Sequence, residues 1–203
     1  LYSMGYYKEN GTLQNTDFDR ITGRISGDVQ ATDWFKVGMS ANFAHSVSNF
    51  QDASGSAVSN VWYTAQFMAP VYPVYLKDMQ GNNVLDENGN RQYEYGSVDD
   101  NGYANRVTAQ GFNSKAELYN NKAYYKRNSL SARTFAKFGT TKKTSPLYGL
   151  DFTVNFGMDF TDYGATGVND KYHGNAAAQG GSVSKTNTRT LSYTANELLT
   201  WQR

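Results

Sequence analysis

The strongest constraint on this chain is a period of two. From Arg20 to Val29, one parity holds Ile21, Gly23, Ile25, Gly27 and Val29 while the other holds Arg20, Thr22, Arg24, Ser26 and Asp28. Successive side chains of an extended backbone point to opposite faces, so this alternation predicts a strand with one apolar and one polar face. The pattern recurs. Phe35, Val37, Met39, Ala41, Phe43 and Val47 oppose Lys36, Ser40, Asn42 and Ser46, and Leu130, Ala132, Thr134, Ala136 and Phe138 oppose Arg127, Ser129, Ser131, Arg133 and Lys137. Leu150, Phe152, Val154, Phe156, Met158 and Phe160 oppose Asp151, Thr153, Asn155, Asp159 and Thr161. Leu191, Tyr193, Ala195, Leu199 and Trp201 oppose Ser192, Thr194, Asn196, Thr200 and Gln202, with Glu197 intruding on the apolar parity. With a shorter run from Tyr2 to Lys8, the reading is all-β, with strands near residues 2–8, 18–29, 35–48, 124–139, 149–161 and 184–203.

Several runs are longer than the roughly 5–6 residues of a globular strand. They suit the roughly 9–11 tilted residues that cross a bilayer. The connections alternate in kind. A few residues around Ala31–Trp34 and a polar turn over 140–148, with Lys142, Lys143 and Pro146, contrast with long loops over 49–123 and 162–183. Short turns at one end and long loops at the other are the habit of outer-membrane barrels, the smallest of which need about eight strands. Neither Leu1 nor Arg203 is set off by terminal punctuation. The chain therefore reads as a fragment of a large antiparallel transmembrane β-barrel, about six strands with long extracellular loops. Its apolar parity would face lipid and its charged parity the lumen. The same faces also suit a β-sandwich, and a soluble or surface-exposed carbohydrate-binding β-sandwich domain is the alternative reading. A β-solenoid or adhesin segment would show a fixed repeat, and none is visible.

Composition narrows the chemistry. The mean hydropathy is -0.66, yet only 18% of residues are charged, so the polarity comes from neutral amides, hydroxyls and glycine. Aromatic residues reach 15%, too many for a disordered segment. A net charge of +1 on 203 residues offers no basic stripe for nucleic acid. With no cysteine, disulfides, thiolate nucleophiles and zinc–thiolate sites are excluded. No apolar run reaches the roughly 20 residues of a membrane helix, which says nothing of a barrel.

The 49–123 loop opens with Gln51-Asp52-Ala53-Ser54-Gly55-Ser56, and Ser56 to Met68 suits a short helix before Pro70 and Pro73 stiffen the chain. Gln80-Gly81-Asn82-Asn83 and Asn88-Gly89-Asn90 read as tight turns, and Arg91 to Gly96 as a short strand. Trp62, Tyr63, Tyr72, Tyr75, Tyr93 and Tyr95, set among Asn, Asp and Gln, suit contact with a sugar, a peptide or a covering protein; packing of the loop against itself is the competing role. Asp86, Asn88 and Asn90 have the opening spacing of a calcium loop, but Arg91 and Ser97 stand where it needs Gly and Glu, so a hairpin turn is expected and no metal. Carboxylates are scattered and His45 and His173 have no acid at useful spacing, so no catalytic constellation and no cofactor are expected. His45 falls on the apolar parity near a strand end, and His173 reads as a surface loop residue.

Asn15-Thr16-Asp17-Phe18-Asp19-Arg20, Asp33-Trp34-Phe35-Lys36-Val37-Gly38-Met39, Phe67-Met68-Ala69-Pro70-Val71-Tyr72-Pro73-Val74-Tyr75 and Tyr93-Glu94-Tyr95-Gly96 occur in one order. Together with the closing Asn196-Glu197-Leu198-Leu199-Thr200-Trp201-Gln202-Arg203, they resemble the mid-barrel region of SusC/RagA-type TonB-dependent transporters. The chain departs at Asn105-Arg106, where such proteins often carry Asn-Pro. The resemblance implies a plugged barrel of roughly 22 strands, driven through TonB, capped by a SusD-like surface lipoprotein and importing oligosaccharides or peptides across the outer membrane of Bacteroidetes-type bacteria. The plug domain would lie outside this chain. Arg20, Arg24, Arg127, Arg133, Asp151 and Asp159 would line the lumen, solvating it or pairing with the plug in preference to touching substrate.

Overall fold

Long alternating runs with β-branched and aromatic residues on one parity pair with their sequence neighbours, because each is joined to the next by a connection at one end only. In the computed structural model, which describes residues 1–50, 60–96, 106–140, 142–145, 148–174 and 176–202, they form one antiparallel sheet in the order β1-β2-β3-β4-β5-β6. The strands are β1 (Tyr2–Asn10), β2 (Asp17–Thr32), β3 (Phe35–Asn49), β4 (Lys122–Gly139), β5 (Leu150–Asn169) and β6 (Ser182–Trp201). The sheet is open: β1 pairs only β2 and β6 only β5 among the described residues.

The loop expected over 162–183 is shorter than the sequence suggests. Residues 162–169 extend β5, and Asp162 to Asn169 pair with Arg189 to Ser182. Gly164, Ala165 and Gly167 carry little side-chain signal, so this stretch shows no alternation, yet its backbone continues the ladder. The first three strands likewise run past the expected ends, to Asn10, Thr32 and Asn49.

Register converts the two parities into two surfaces, because directly opposed residues share a face. On one face, successive rows across the sheet read Phe35–Phe138–Phe152–Leu199, then Val29–Val37–Ala136–Val154–Glu197, then Gly27–Met39–Thr134–Phe156–Ala195. Tyr2–Ile25–Ala41–Ala132–Met158–Tyr193 and Met4–Gly23–Phe43–Leu130–Phe160–Leu191 follow. The next row changes character: Tyr6–Ile21–His45–Asn128–Asp162–Arg189. There His45 Nδ1 lies 2.6 Å from Asn128 Oδ1, and Arg189 Nε donates to Asp162 at 3.0 Å. The apolar band thus ends at a definite height. From Leu150 to Phe160, at ~3.3 Å per residue and a tilt of ~40°, it stands ~25 Å tall. Trp34, Phe35, Phe138 and Phe152 cluster at its turn end, with Phe35 and Phe138 stacked at 4.9 Å. Glu197 sits in this band beside Val154, and nothing in the structure explains it.

Nothing among the described residues covers that band. Ile25, Met39, Phe156, Leu191 and Leu199 are all exposed, several by more than half of their surface. The buried apolar residues, Val61, Leu76, Tyr95, Ala116, Leu118 and Ala176, lie instead in the connections at one end of the sheet. Among the described residues the packed core is in the loops.

Candidate functional site

The loop core begins with a repeated pentapeptide, Asp78-Met79-Gln80-Gly81-Asn82 and Asp86-Glu87-Asn88-Gly89-Asn90. In each copy the aspartate Oδ1 accepts the backbone N–H groups two and four residues on, and Oδ2 accepts from the side chain of the closing Asn, Asn82 or Asn90. The fourth residue turns left-handed, at φ +85° for Gly81 and +79° for Gly89, which is why glycine stands there. These hydrogen bonds, chiefly from the backbone of the closing Asn, hold both carboxyls below the usual range. Asp86 is thereby occupied by its own turn, as the hairpin reading expects. Ser97, the other residue of the calcium comparison, lies outside the described residues.

The two turns fold three short segments into a closed triangle. Leu76 N–H donates to Gln92 O, Gln92 N–H to Val84 O and Val84 N–H to Leu76 O, at 2.9, 3.0 and 3.0 Å. The closure sets Tyr75 opposite Tyr93, with their rings stacked at 5.5 Å. Arg91 lies over the Tyr75 ring at 4.1 Å, and Lys115 Nζ stands 5.3 Å from the same centroid. The neighbouring Lys115 ammonium holds the Tyr75 hydroxyl below its ordinary pKa, and the hydroxyl holds the ammonium above its own.

Two short helices that contact each other accompany this triangle. Helix α1 (Val61–Phe67) starts at Asn60, whose side chain caps Trp62 and Tyr63. It is the short helix expected before Pro70; residues 56–59 lie outside the described set. Helix α2 (Ser114–Asn120) falls within the span expected as a loop. Its only sequence signal is the Asn113 cap ahead of Lys, Ala, Glu and Leu, over too few residues to show a stripe. Asn113 is buried and fully used: Oδ1 caps Ala116, while Nδ2 donates to Val74 O and Glu94 O at 2.9 and 2.8 Å.

Beneath the triangle lies a buried ion pair, Arg106 Nε to Glu94 Oε2 at 3.5 Å. The guanidinium also donates to Phe112 O at 2.8 Å and to the Met68 sulfur, and it stands 5.2 Å from the Tyr72 ring. Gly96, at φ +76°, has no room for a side chain, since a Cβ would run into the Arg106 guanidinium. Arg106 N–H donates to Gly96 O at 2.9 Å, a bond that a proline at this position could not make.

The third connection, between β5 and β6, completes the assembly. His173 is half-buried and stacks on Tyr95 at 3.6 Å, with Nδ1 3.4 Å from Asp170 Oδ2, so it is more than a surface residue. Asn120 Nδ2 reaches both Tyr95 Oη and Asp170 Oδ2. Burial first, then the Asp170 charge, pushes the Tyr95 hydroxyl well above its ordinary value. A cleft of about 650 Å³ opens here, lined by Asp86, Asn90, Arg91, Gln92, Tyr93, Tyr95 and, on its far side, by Asn120, Asp170, Tyr172 and His173.

Of the six aromatic candidates, Tyr93 and Tyr95 line this cleft, and Tyr75 stacks on Tyr93 without lining it. Tyr72 packs over Arg106, while Trp62 and Tyr63 lie on the exposed face of α1, Tyr63 stacked on Phe67 at 5.7 Å. The lumen candidates occupy the polar face of the sheet. Arg20 and Arg127 share the row Tyr7–Arg20–Ser46–Arg127–Tyr163, and Arg24 shares a row with Asp159. Arg133 pairs with Asp159 at 2.7 Å, and Asp151 with Lys137 at 3.4 Å.

Glu117 of α2 is buried beside Gly174, and loss of hydration raises its carboxyl to about 7. A folded-state value above the unfolded ~4.3 means the uncharged acid is favoured by folding. Its contribution is full below about pH 4 and is lost as pH rises through about 7. Amide exchange of α2 should therefore be slower at pH 5 than at pH 8 after correction for intrinsic rates, and Glu117→Gln should abolish the difference. An unchanged pH dependence in Glu117→Gln would refute this.

No protein-family model matches this chain, and no curated protein matches it.

Proposed function

We propose that this chain is a section of the barrel of a SusC/RagA-type TonB-dependent transporter in a bacterial outer membrane. Its loops face outward, meet a SusD-like lipoprotein and take an oligosaccharide or peptide into the lumen, with TonB acting through a part of the protein beyond this chain. Transport and recognition, rather than catalysis, are its work. The observation that carries the reading is the band of apolar residues, ~25 Å tall, left uncovered on strands of up to 20 residues. An uncovered apolar face of that extent marks a membrane or protein contact. The opposite face carries paired charges and hydroxyls, as a wet lumen requires. Six strands do not close a barrel, so further strands from the same protein would complete it. A carbohydrate-binding β-sandwich would bury the band under a second sheet.

Cysteine accessibility separates the two. This chain has no cysteine of its own. In intact cells expressing the whole protein, a membrane-impermeant maleimide should label Asn88→Cys in the loop assembly. Lys143→Cys in the β4–β5 turn should react only after the outer membrane is permeabilised. Equal labelling of both in intact cells, or recovery of the protein without detergent, would overturn the transporter reading.

A further inference from the structure

The stretch of β5 where alternation fades plays no part in the loop cleft, yet it shapes a surface of its own. Beyond the apolar band, on the same face of the sheet, rows across β4, β5 and β6 read Lys126–Gly164–Asn187, then Tyr124–Thr166–Lys185, then Lys122–Val168–Val183. Gly164 and Thr166 form the floor of a shallow trough between the longer side chains of β4 and β6. The backbone does not ask for glycine at 164. Its φ is not left-handed, and a Cβ there would meet nothing nearer than the Asn187 amide at 3.8 Å. The missing side chain leaves space on the surface rather than relieving a clash.

Three lysines border this space. Lys122, Lys126 and Lys185 are exposed, and among the described residues none of them forms an ion pair. Lys126 Nζ stands 5.2 Å from the Tyr124 centroid, which holds it beside the trough. The carboxylates on this part of the face are engaged or distant. Asp162 accepts from Arg189 at 3.0 Å, Asp19 accepts from Tyr6 Oη at 2.8 Å and stands 3.9 Å from Lys8, and Asp17 lies three strands from Thr166. Free ammonium groups around an open floor suit phosphate oxygens, which they meet as point charges. Position names the source of the phosphate. The lysines begin two rows beyond Leu130–Phe160–Leu191, the last apolar row, and continue the face of that band. Cations so placed stand at the headgroups of a bilayer that meets the band, with their stems free to lean toward it. At the turn end the same face closes instead on Trp34, Phe35, Phe138 and Phe152, and Lys142 is paired with Asp33. The amide of Asn187 and the hydroxyls of Thr166 and Tyr124 suit the hydroxyls of a sugar beside the phosphate. We propose that this trough binds the phosphate of a phosphorylated glycolipid in the leaflet on the loop side, with Lys126 and Lys185 flanking it and Lys122 beyond them. The membrane setting rests on the transporter reading; the lysine cluster does not.

The test is native mass spectrometry of the whole protein in neutral detergent, titrated with bisphosphorylated lipid A or with the same lipid stripped of its phosphates. The phosphorylated lipid should bind at least about tenfold tighter, and Lys126→Gln and Lys185→Gln should each weaken it about fivefold while leaving the stripped lipid unchanged. Gly164→Phe, which fills the trough and keeps every lysine, should weaken it as well. Lys143→Gln, in the β4–β5 turn at the opposite end, should change nothing. Equal binding of the two lipids, an equal loss in Lys143→Gln, or displacement of the phosphorylated lipid by an equal concentration of inorganic phosphate would overturn the proposal. Phosphate-selective lipid binding by a protein that fails the labelling test would sustain this site and overturn the transporter; the expected labelling pattern without phosphate preference would do the reverse.

Discussion

Replacing Arg106 with methionine will destabilise the loop assembly by about 3–5 kcal/mol and leave the six-stranded ladder intact. The substitution keeps much of the side chain's volume but removes the cation from beside Glu94, whose carboxylate stays buried at 4% exposure. Taking the cation away from a buried carboxylate is the costly outcome of splitting such a pair. The guanidinium's bond to Phe112 O and its seat over Tyr72 go as well. The loss is local because Arg106 touches α1 through Met68, the triangle through Glu94 and the approach to α2 through Phe112, and none of these is a strand of the sheet. Amide exchange reads the two regions separately: Leu76, Gln92 and Gly111 should lose protection while Leu130 and Phe156 keep theirs. The double variant Glu94→Gln with Arg106→Met should recover a large part of the loss, since it leaves no buried charge behind. Unaltered protection at Leu76 in Arg106→Met would show that the pair does not hold the assembly together.

This contrast between sheet and loops also governs what could be read in advance. The sheet was legible because its faces are written in side chains: Leu150 through Phe160 and Arg20 through Val29 carry parity at every step. Where parity fades into Gly164, Ala165 and Gly167, the strand persists on backbone bonds alone and the sequence loses it. The two Asp-led turns were legible for the same local reason, a Gly-Asn step beside an acid that bonds its own backbone. The remainder of the site is non-local. Arg106 meets Glu94, Tyr95 meets His173, and Lys115 meets Arg91 over Tyr75, each pair drawn from segments with no shared pattern. Nothing in the neighbourhood of Arg106 marks it as buried, and an arginine in a polar loop is by default exposed. The aromatic cluster was visible as a cluster, but only the fold divides Tyr93 and Tyr95, which line the cleft, from Tyr72, which packs on Arg106.

The second large effect concerns the uncovered band, and its signature is depth. Phe156 lies in the middle row of the band with Met39, Thr134 and Ala195. An arginine there should cost about 2–4 kcal/mol if the face meets the bilayer's midplane. Leu199 lies on the same face in the row of Phe35, Phe138 and Phe152, beside the turns, where the same charge reaches the interface and should cost about 0–1 kcal/mol. Asn155 is adjacent to Phe156 but on the opposite face, between Phe135 and Asn196, and an arginine there joins a surface that already holds Arg133 and Lys137. Its cost should be within about 0.5 kcal/mol. Denaturant titration of the whole protein in lipid vesicles, read by the retarded gel mobility of the folded barrel, ranks the three. A bilayer gives Phe156→Arg well above Leu199→Arg, and Leu199→Arg near Asn155→Arg. A second protein sheet packed on the band gives no such gradient, since burial against protein does not relax toward a polar interface; comparable losses at Phe156 and Leu199 would therefore place protein, and not lipid, on this face.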